Sequence, residues 1–185
     1  MINEWEEFKK ELVFNNMEEI NMIKRGFEKI SISQIEEDFN GYDRKSSNRR
    51  KAEIKMPQRA TSQSAGYDIK SPISFKLEPN EEIKLPTGLK AYMQSDEALF
   101  AYPRGGLGFK YYCRLANTIG VIDSDYYNNE SNEGHIWVKI RNEGDRVITI
   151  EQGDSICQVI FQKYLLVDGD NFEGELRKGG FGSTG

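Results

Sequence analysis

The chain has 185 residues, 37% of them hydrophobic and 30% charged, with a formal net charge of −5. Such a composition marks a soluble single-domain chain with room for a small appendage and excludes a disordered one. The acidic balance excludes a general nucleic-acid binder, and no apolar run nears the ~20 residues that span a bilayer.

The N-terminal MINEWEEFKK lacks the basic-then-apolar order of a secretory leader, so the expected location is cytoplasmic. Residues 1–40 are acidic and patterned for helix: Ile2, Trp5, Phe8, Leu12, Met17 and Ile20 recur near helical spacing. They predict a helical N-terminal extension laid on the domain, on a partner subunit or on another protein. Within it, Ser33-Gln34-Ile35-Glu36 signals a short second helix, with Ser33 as cap and Glu36 returning the bond. Met22 is a candidate internal start that would leave residues 1–21 dispensable. Residues 43–60 carry seven Lys or Arg against two acids, the pattern of a solvated loop, and residues 41–53 read as a basic linker.

From Ile54 the pattern changes to short strands. ISFKL at 73–77, EEIKL at 81–85, TGLKAYM at 87–93 and ALFAY at 98–102 begin the series. HIWVKIR at 135–141, RVITI at 146–150 and SICQVIFQKY at 155–164 continue it, with Gly, Pro, Asn and Asp turns between them. Closely spaced strands without helical periods predict an all-β sandwich or barrel over residues 54–176. Cys113 and Cys157 sit among strand residues and are expected as buried free thiols. His135 opens a strand and is expected as an ordinary surface or core residue.

Five segments hold more Gly, Asp, Asn and Arg than turns require: SAGYD at 64–68, YPRGGLG at 102–108, NTIGVIDSDYY at 117–127, GDSICQ at 153–158 and the closing RKGGFGSTG at 177–185. In the third, Ile119, Val121 and Ile122 make a strand and Asp123, Asp125 and Tyr126 cluster past its end. A carboxylate there can hold a water as general base, or the aspartates can simply make the turn. Arg104 stands in a glycine-rich loop whose backbone can approach an anion while the guanidinium supplies a planar donor fork. Gln158 can read an amide edge or satisfy a core hydrogen bond. The tail joins Arg177 to Phe181 through glycines, a composition suited to a mobile lid over residues 177–185 that stacks a ring on a flat heterocycle. No Walker-type loop and no metal-ligand cluster occur. Such a site suits a phosphorylated small molecule with a hard cation such as Mg²⁺.

In this order the five segments resemble the five motifs of the homotrimeric dUTPases, over roughly Ile54 to Gly185. The resemblance implies a distorted jelly-roll (β-clip, dUTPase-like) trimer that shares its active sites between subunits and hydrolyses dUTP to dUMP and pyrophosphate. It implies that Asp123 activates the water, that Asp68 helps organise the metal–water–phosphate network, and that Arg104, Gly105, Gly106 and Gln158 line the phosphate path. Asn117 and Gly120 would read uracil in the 117–126 hairpin, and Tyr126 would pack under deoxyribose, leaving no room for a 2'-hydroxyl and so excluding UTP. From a neighbouring subunit, Phe181 and Gly182 would cover the base while Arg177, Ser183 and Thr184 close on the phosphates. Mg²⁺ would be held by substrate phosphates and waters rather than by side chains, with Asp68 acting on it through water.

The chain departs from that pattern at Pro103-Arg104-Gly105, where Pro-Arg-Ser is usual, and at YNNESNEGHI, which replaces a shorter turn after Tyr126. Arg177 and Phe181 are also one residue closer than is common. Two alternatives stand beside hydrolysis. One is a nucleotide-binding regulatory relative with weak turnover, in which residues 1–40 contact a partner protein. The other is dCTP deaminase, against which HIWVKIR offers no catalytic glutamate.

Overall fold

The structure is a computed structural model, and it describes residues 24–42, 45–172, 174 and 179–180. The elements in chain order are β1 (Gly26–Lys29), α1 (Ile32–Asp38), α2 (Ser47–Glu53), β2 (Gln58–Arg59), β3 (Tyr67–Lys70) and β4 (Phe75–Leu77). There follow β5 (Glu82–Pro86), β6 (Leu89–Tyr92), β7 (Glu97–Pro103), α3 (Gly105–Tyr111), β8 (Cys113–Leu115) and β9 (Gly120–Asp123). A 3-10 turn (Ser124–Tyr126), β10 (Trp137–Asn142), β11 (Ile148–Ile150) and β12 (Ser155–Lys163) complete the fold.

All strand pairs are antiparallel. The largest sheet has the order β2-β3-β12-β7-β9, beside a three-stranded sheet β5-β10-β8 and the pairs β11-β4 and β1-β6. Side chains alternate between core and solvent along β10, where Val138, Ile140 and Asn142 are buried and Lys139 and Arg141 are exposed. In β12, Ile156 and Cys157 are consecutive and both buried, which strict alternation forbids. A register shift between Ser155 and Cys157 inserts the extra residue that makes this possible. Both cysteines are free and buried, as expected, and burial pushes the Cys113 thiol up to about 11 and the Cys157 thiol to about 12.

Three local expectations are corrected. Residues 26–40 belong to the packed domain: β1 pairs with β6, and Ile30, Ile35 and Phe39 are core residues. The short helix does form, but its cap is Ser31, whose side chain accepts from the Gln34 amide at 3.1 Å. The return bond of a capping box comes instead from across the fold, where Glu133 Oε2 accepts the Ser31 amide at 3.0 Å. The basic stretch is not all solvated loop, because α2 forms within it. Arg50 is buried with its guanidinium 4.4 Å above the Phe39 ring, and Glu53 pairs with Lys45 and Arg49. The helix expected from residues 1–20 lies outside the described residues. No helix among the described residues is long and apolar enough to cross a membrane.

His135, the one histidine in the chain, is fully buried. Its Nε2 accepts the Gly88 amide at 2.8 Å, so the ring proton sits on Nδ1 and is donated to Asp38 Oδ2 at 2.5 Å. Burial pulls the His135 pKa below its ordinary value, against the pull of Asp38. Burial raises the Asp38 carboxyl, but the hydrogen bonds from His135 and Gln34 outweigh it and hold the group low. A histidine with a depressed pKa stabilises the fold fully above its unfolded value and progressively less as pH falls through the folded one. The melting temperature is therefore expected to decline from about pH 6.5 downward. A His135→Gln variant should lack that inflection, and a wild-type melting temperature flat from pH 7 to pH 5 would contradict the assignment.

Candidate active site

The turn that leads from β8 into β9, two strands of different sheets, is made at Thr118, which takes a left-handed φ of 66°. Its amide bonds Leu115 O at 3.0 Å, and the Ile119 amide bonds Asn117 O at 2.7 Å, which holds the turn tight. Gly120 follows where β9 crosses Ala101 of β7. A Cβ on Gly120 would stand 3.2 Å from the Ala101 Cβ, so glycine permits this close pairing. At the far end Asp123 closes β9 with extended backbone and passes the chain into the 3-10 turn that carries Tyr126.

These residues enclose a cavity of about 500 Å³. Asn117, Gly120, Asp123 and Tyr126 line it together with Trp137 and Lys139 of β10. Asp123 is half-buried at the wall and Tyr126 is buried, with its hydroxyl donating to His135 O at 3.0 Å. Gly180 lies against the Tyr126 ring so closely that a Cβ there would sit 2.7 Å from a ring carbon. Gly180 of the C-terminal motif thus lies at the cavity wall. Arg177, Phe181, Gly182, Ser183 and Thr184 lie outside the described residues. Trp137 and Lys139 were not among the expected site residues, although their two-residue spacing puts them on one face of HIWVKIR.

Asp68, Arg104, Gly105, Gly106 and Gln158 form a separate group. Asp68 is buried on β3, with Oδ1 accepting from Arg104 NH1 at 2.6 Å and Oδ2 accepting from Ser155 Oγ at 3.1 Å. Lys70 Nζ in turn donates to Ser155 Oγ at 2.7 Å. Gln158 donates from Nε2 to Pro103 O at 3.2 Å, tying β12 to the residue before Arg104. The glycine-rich segment is not the loop that its composition predicts. Gly105–Tyr111 is helical, begins at Arg104 and is closed by Tyr112, which takes a left-handed conformation and bonds Gly108 O at 3.0 Å. Leu107 packs against the core, and that contact offsets the poor helix propensity of three glycines.

Strand register sets the distance between the two groups. Asp123 pairs with Ala98 near the start of β7, whereas Arg104 follows its last residue, Pro103. Six residues of extended chain put the two α-carbons about 20 Å apart.

Fold and cavity together define an all-β protein with a half-open cleft, walled by a carboxylate and a buried tyrosine. The family model described as dUTPase matches residues 52–185, and the chain belongs to that family. It is 48% identical over 135 residues to the deoxyuridine 5'-triphosphate nucleotidohydrolase of Lactococcus lactis subsp. lactis, covering 72% of this chain and 90% of that one. The corresponding protein of Mannheimia succiniciproducens is 38% identical, over 72% of this chain and 89% of that one. Among solved structures, the dUTPase of Streptococcus mutans is 35% identical and superposes with a TM-score of 0.60, covering 78% of this chain and 99% of that one. A dUTPase from phage phi11 of S. aureus, in which a structural Mg(II) ion is coordinated, shares the fold at 19% identity and a TM-score of 0.54, over 66% of this chain and 92% of that one.

Proposed function

We propose that the chain hydrolyses dUTP to dUMP and pyrophosphate at a site completed by a neighbouring copy, in a homotrimer. Its main support is one cavity lined by Asn117, Gly120, Asp123 and Tyr126 in a member of the dUTPase family. Asn117 and the backbone around Gly120 hold the uracil edge, and Tyr126 lies under the deoxyribose. Asp123 accepts a proton from the water that attacks in line. The separation along β7 supports a reading in which Arg104, Gly105, Gly106 and Gln158 meet the phosphates from a second subunit. Asp68, engaged on both oxygens by Arg104 and Ser155, serves this step by holding the guanidinium fork in place. Arg177, Phe181, Gly182, Ser183 and Thr184 close over base and phosphates.

Among the described residues no group of three or more metal-ligating side chains occurs. The expected cofactor is Mg²⁺, which keeps several waters and binds largely through substrate phosphates. When bound it neutralises charge on the pyrophosphate that leaves. A cytoplasmic setting suits the two free buried thiols.

The test is pyrophosphate release from dUTP by purified protein with Mg²⁺, beside dTTP, dCTP and UTP. Rapid release from dUTP alone is the expected result, and ammonia release from dCTP would replace the reading. A weakly turning-over nucleotide binder is the second reading, and Gly105 favours it by lacking the hydroxyl donor that serine would bring. A Cβ at Gly105 meets nothing within 4 Å, so serine fits there without strain. Gly105→Ser should raise kcat, by as much as ~10²-fold if the missing donor limits the rate. An unchanged kcat would show that the backbone amide of Gly105 suffices.

A further inference from the structure

The loop 127–134 follows the cavity residue Tyr126, and its hydrogen bonds converge on that residue. Asn129 is buried and donates from Nδ2 to Tyr126 O at 2.8 Å, while its Oδ1 accepts from Ser131 N, Ser131 Oγ and Asn132 N. Asn132 Oδ1 accepts from Asn129 Nδ2 at 2.8 Å and from the Gly134 amide at 3.1 Å. A backbone amide only donates, so the oxygen of Asn132 must face Gly134 and the nitrogen must face the other way. There Nδ2 donates to the Tyr126 hydroxyl at 2.8 Å, and the hydroxyl proton goes on to His135 O at 3.0 Å.

The two asparagines therefore grip Tyr126 at both ends, Asn129 at its carbonyl and Asn132 at its hydroxyl. Gly134 makes this fold of the loop possible. Its φ is +77°, and a Cβ there would stand 2.5 Å from Tyr126 O. The far edge of the loop is fixed to the rest of the domain, because Glu133 accepts the Ser31 amide and Asn128 Oδ1 accepts from Lys90 Nζ at 2.6 Å. The hydroxyl also bonds His135 O, and a ring tip held by that single bond can still swing about it, whereas Asn132 adds the second contact that fixes its height. A ring held at both ends keeps a constant distance to whatever lies on its face.

We propose that Asn132, set by Asn129, is a positioning residue that holds the Tyr126 ring at the height which excludes a 2'-hydroxyl, so that the rim loop sets the sugar selectivity of this enzyme. The inference rests on the role given above to Tyr126 and extends it to a loop that acts on the site through that residue. It requires Asn132 to act through the Tyr126 hydroxyl. The effects of Asn132→Ala and Tyr126→Phe on selectivity must then overlap rather than add.

The experiment measures calorimetric binding of dUMP and UMP, with kcat and KM for dUTP and UTP, in the wild type, Asn132→Ala, Tyr126→Phe and the double variant. Asn132→Ala should lower the preference for deoxyribose about tenfold, through KM rather than kcat. Tyr126→Phe keeps the ring but loses this hydrogen bond together with the one to His135 O, so its loss of selectivity should be at least as large even if the loop variant folds poorly. The double variant should be no worse than the weaker single. Additive losses, or an Asn132→Ala protein as selective as the wild type, overturn the proposal alone. A wild type that binds dUMP and UMP equally overturns it together with the role of Tyr126.

Discussion

Asp123→Asn is expected to lower kcat for dUTP by about 10²–10⁴-fold while leaving dUTP binding nearly unchanged. Asparagine has the size and shape of aspartate but cannot take a proton from water. The substitution thus removes the proposed base and little else. Its backbone surroundings are robust: Asp123 pairs with Ala98 in the ladder β7-β9, and the strand ends there with ordinary extended angles. The side chain is half-buried at the cavity wall, so a water can reach it and exchange of one oxygen for an amide leaves no deeply buried charge uncompensated. Single-turnover pyrophosphate release, read beside calorimetric binding of dUTP, separates the two effects. A variant that turns over within a few-fold of the wild type would place the base elsewhere. One that no longer binds dUTP would give Asp123 a ligand-holding role.

Much of this site is legible in the residues themselves. NTIGVIDSDYY carries its strand, carboxylate and aromatic in one run, and local chain geometry suffices to bring Asn117, Gly120, Asp123 and Tyr126 to a single cavity. The strands β4 to β7 and β10 to β12 are equally plain, because alternating apolar residues and turn residues report a half-buried pleat. What sequence conceals is decided by tertiary contact. β1 is only four residues, GFEK, and owes its existence to pairing with β6, where Gly26 leaves room for the Tyr92 ring. The helix α2 looks like a charged loop until Arg50 is seen against Phe39. The helix α3 runs against the propensity of its glycines because Leu107 reaches the core. Likewise, Pro103-Arg104 and Asp123 read as parts of one site, and only strand register reveals that they stand at opposite ends of β7.

That register leads to the second large effect. Arg104→Gln and Asp123→Asn should each lower activity at least ~10²-fold alone, yet a mixture co-refolded at equal amounts should recover activity. Glutamine is chosen because Asp68 is buried and needs a donor where the guanidinium was; alanine would strand its charge. If each site takes its carboxylate from one subunit and its guanidinium from the next, random assembly of the two variants yields about a quarter of sites with both groups intact. Recovery to about that fraction of wild-type activity is the expected result, and it should appear only after subunits have been exchanged, not on simple mixing of assembled protein. If every site were built within one chain, no combination of the two variants could contain an intact one. The mixture would then show only the average of two crippled enzymes, and the assignment of Arg104 to the neighbouring subunit would fall.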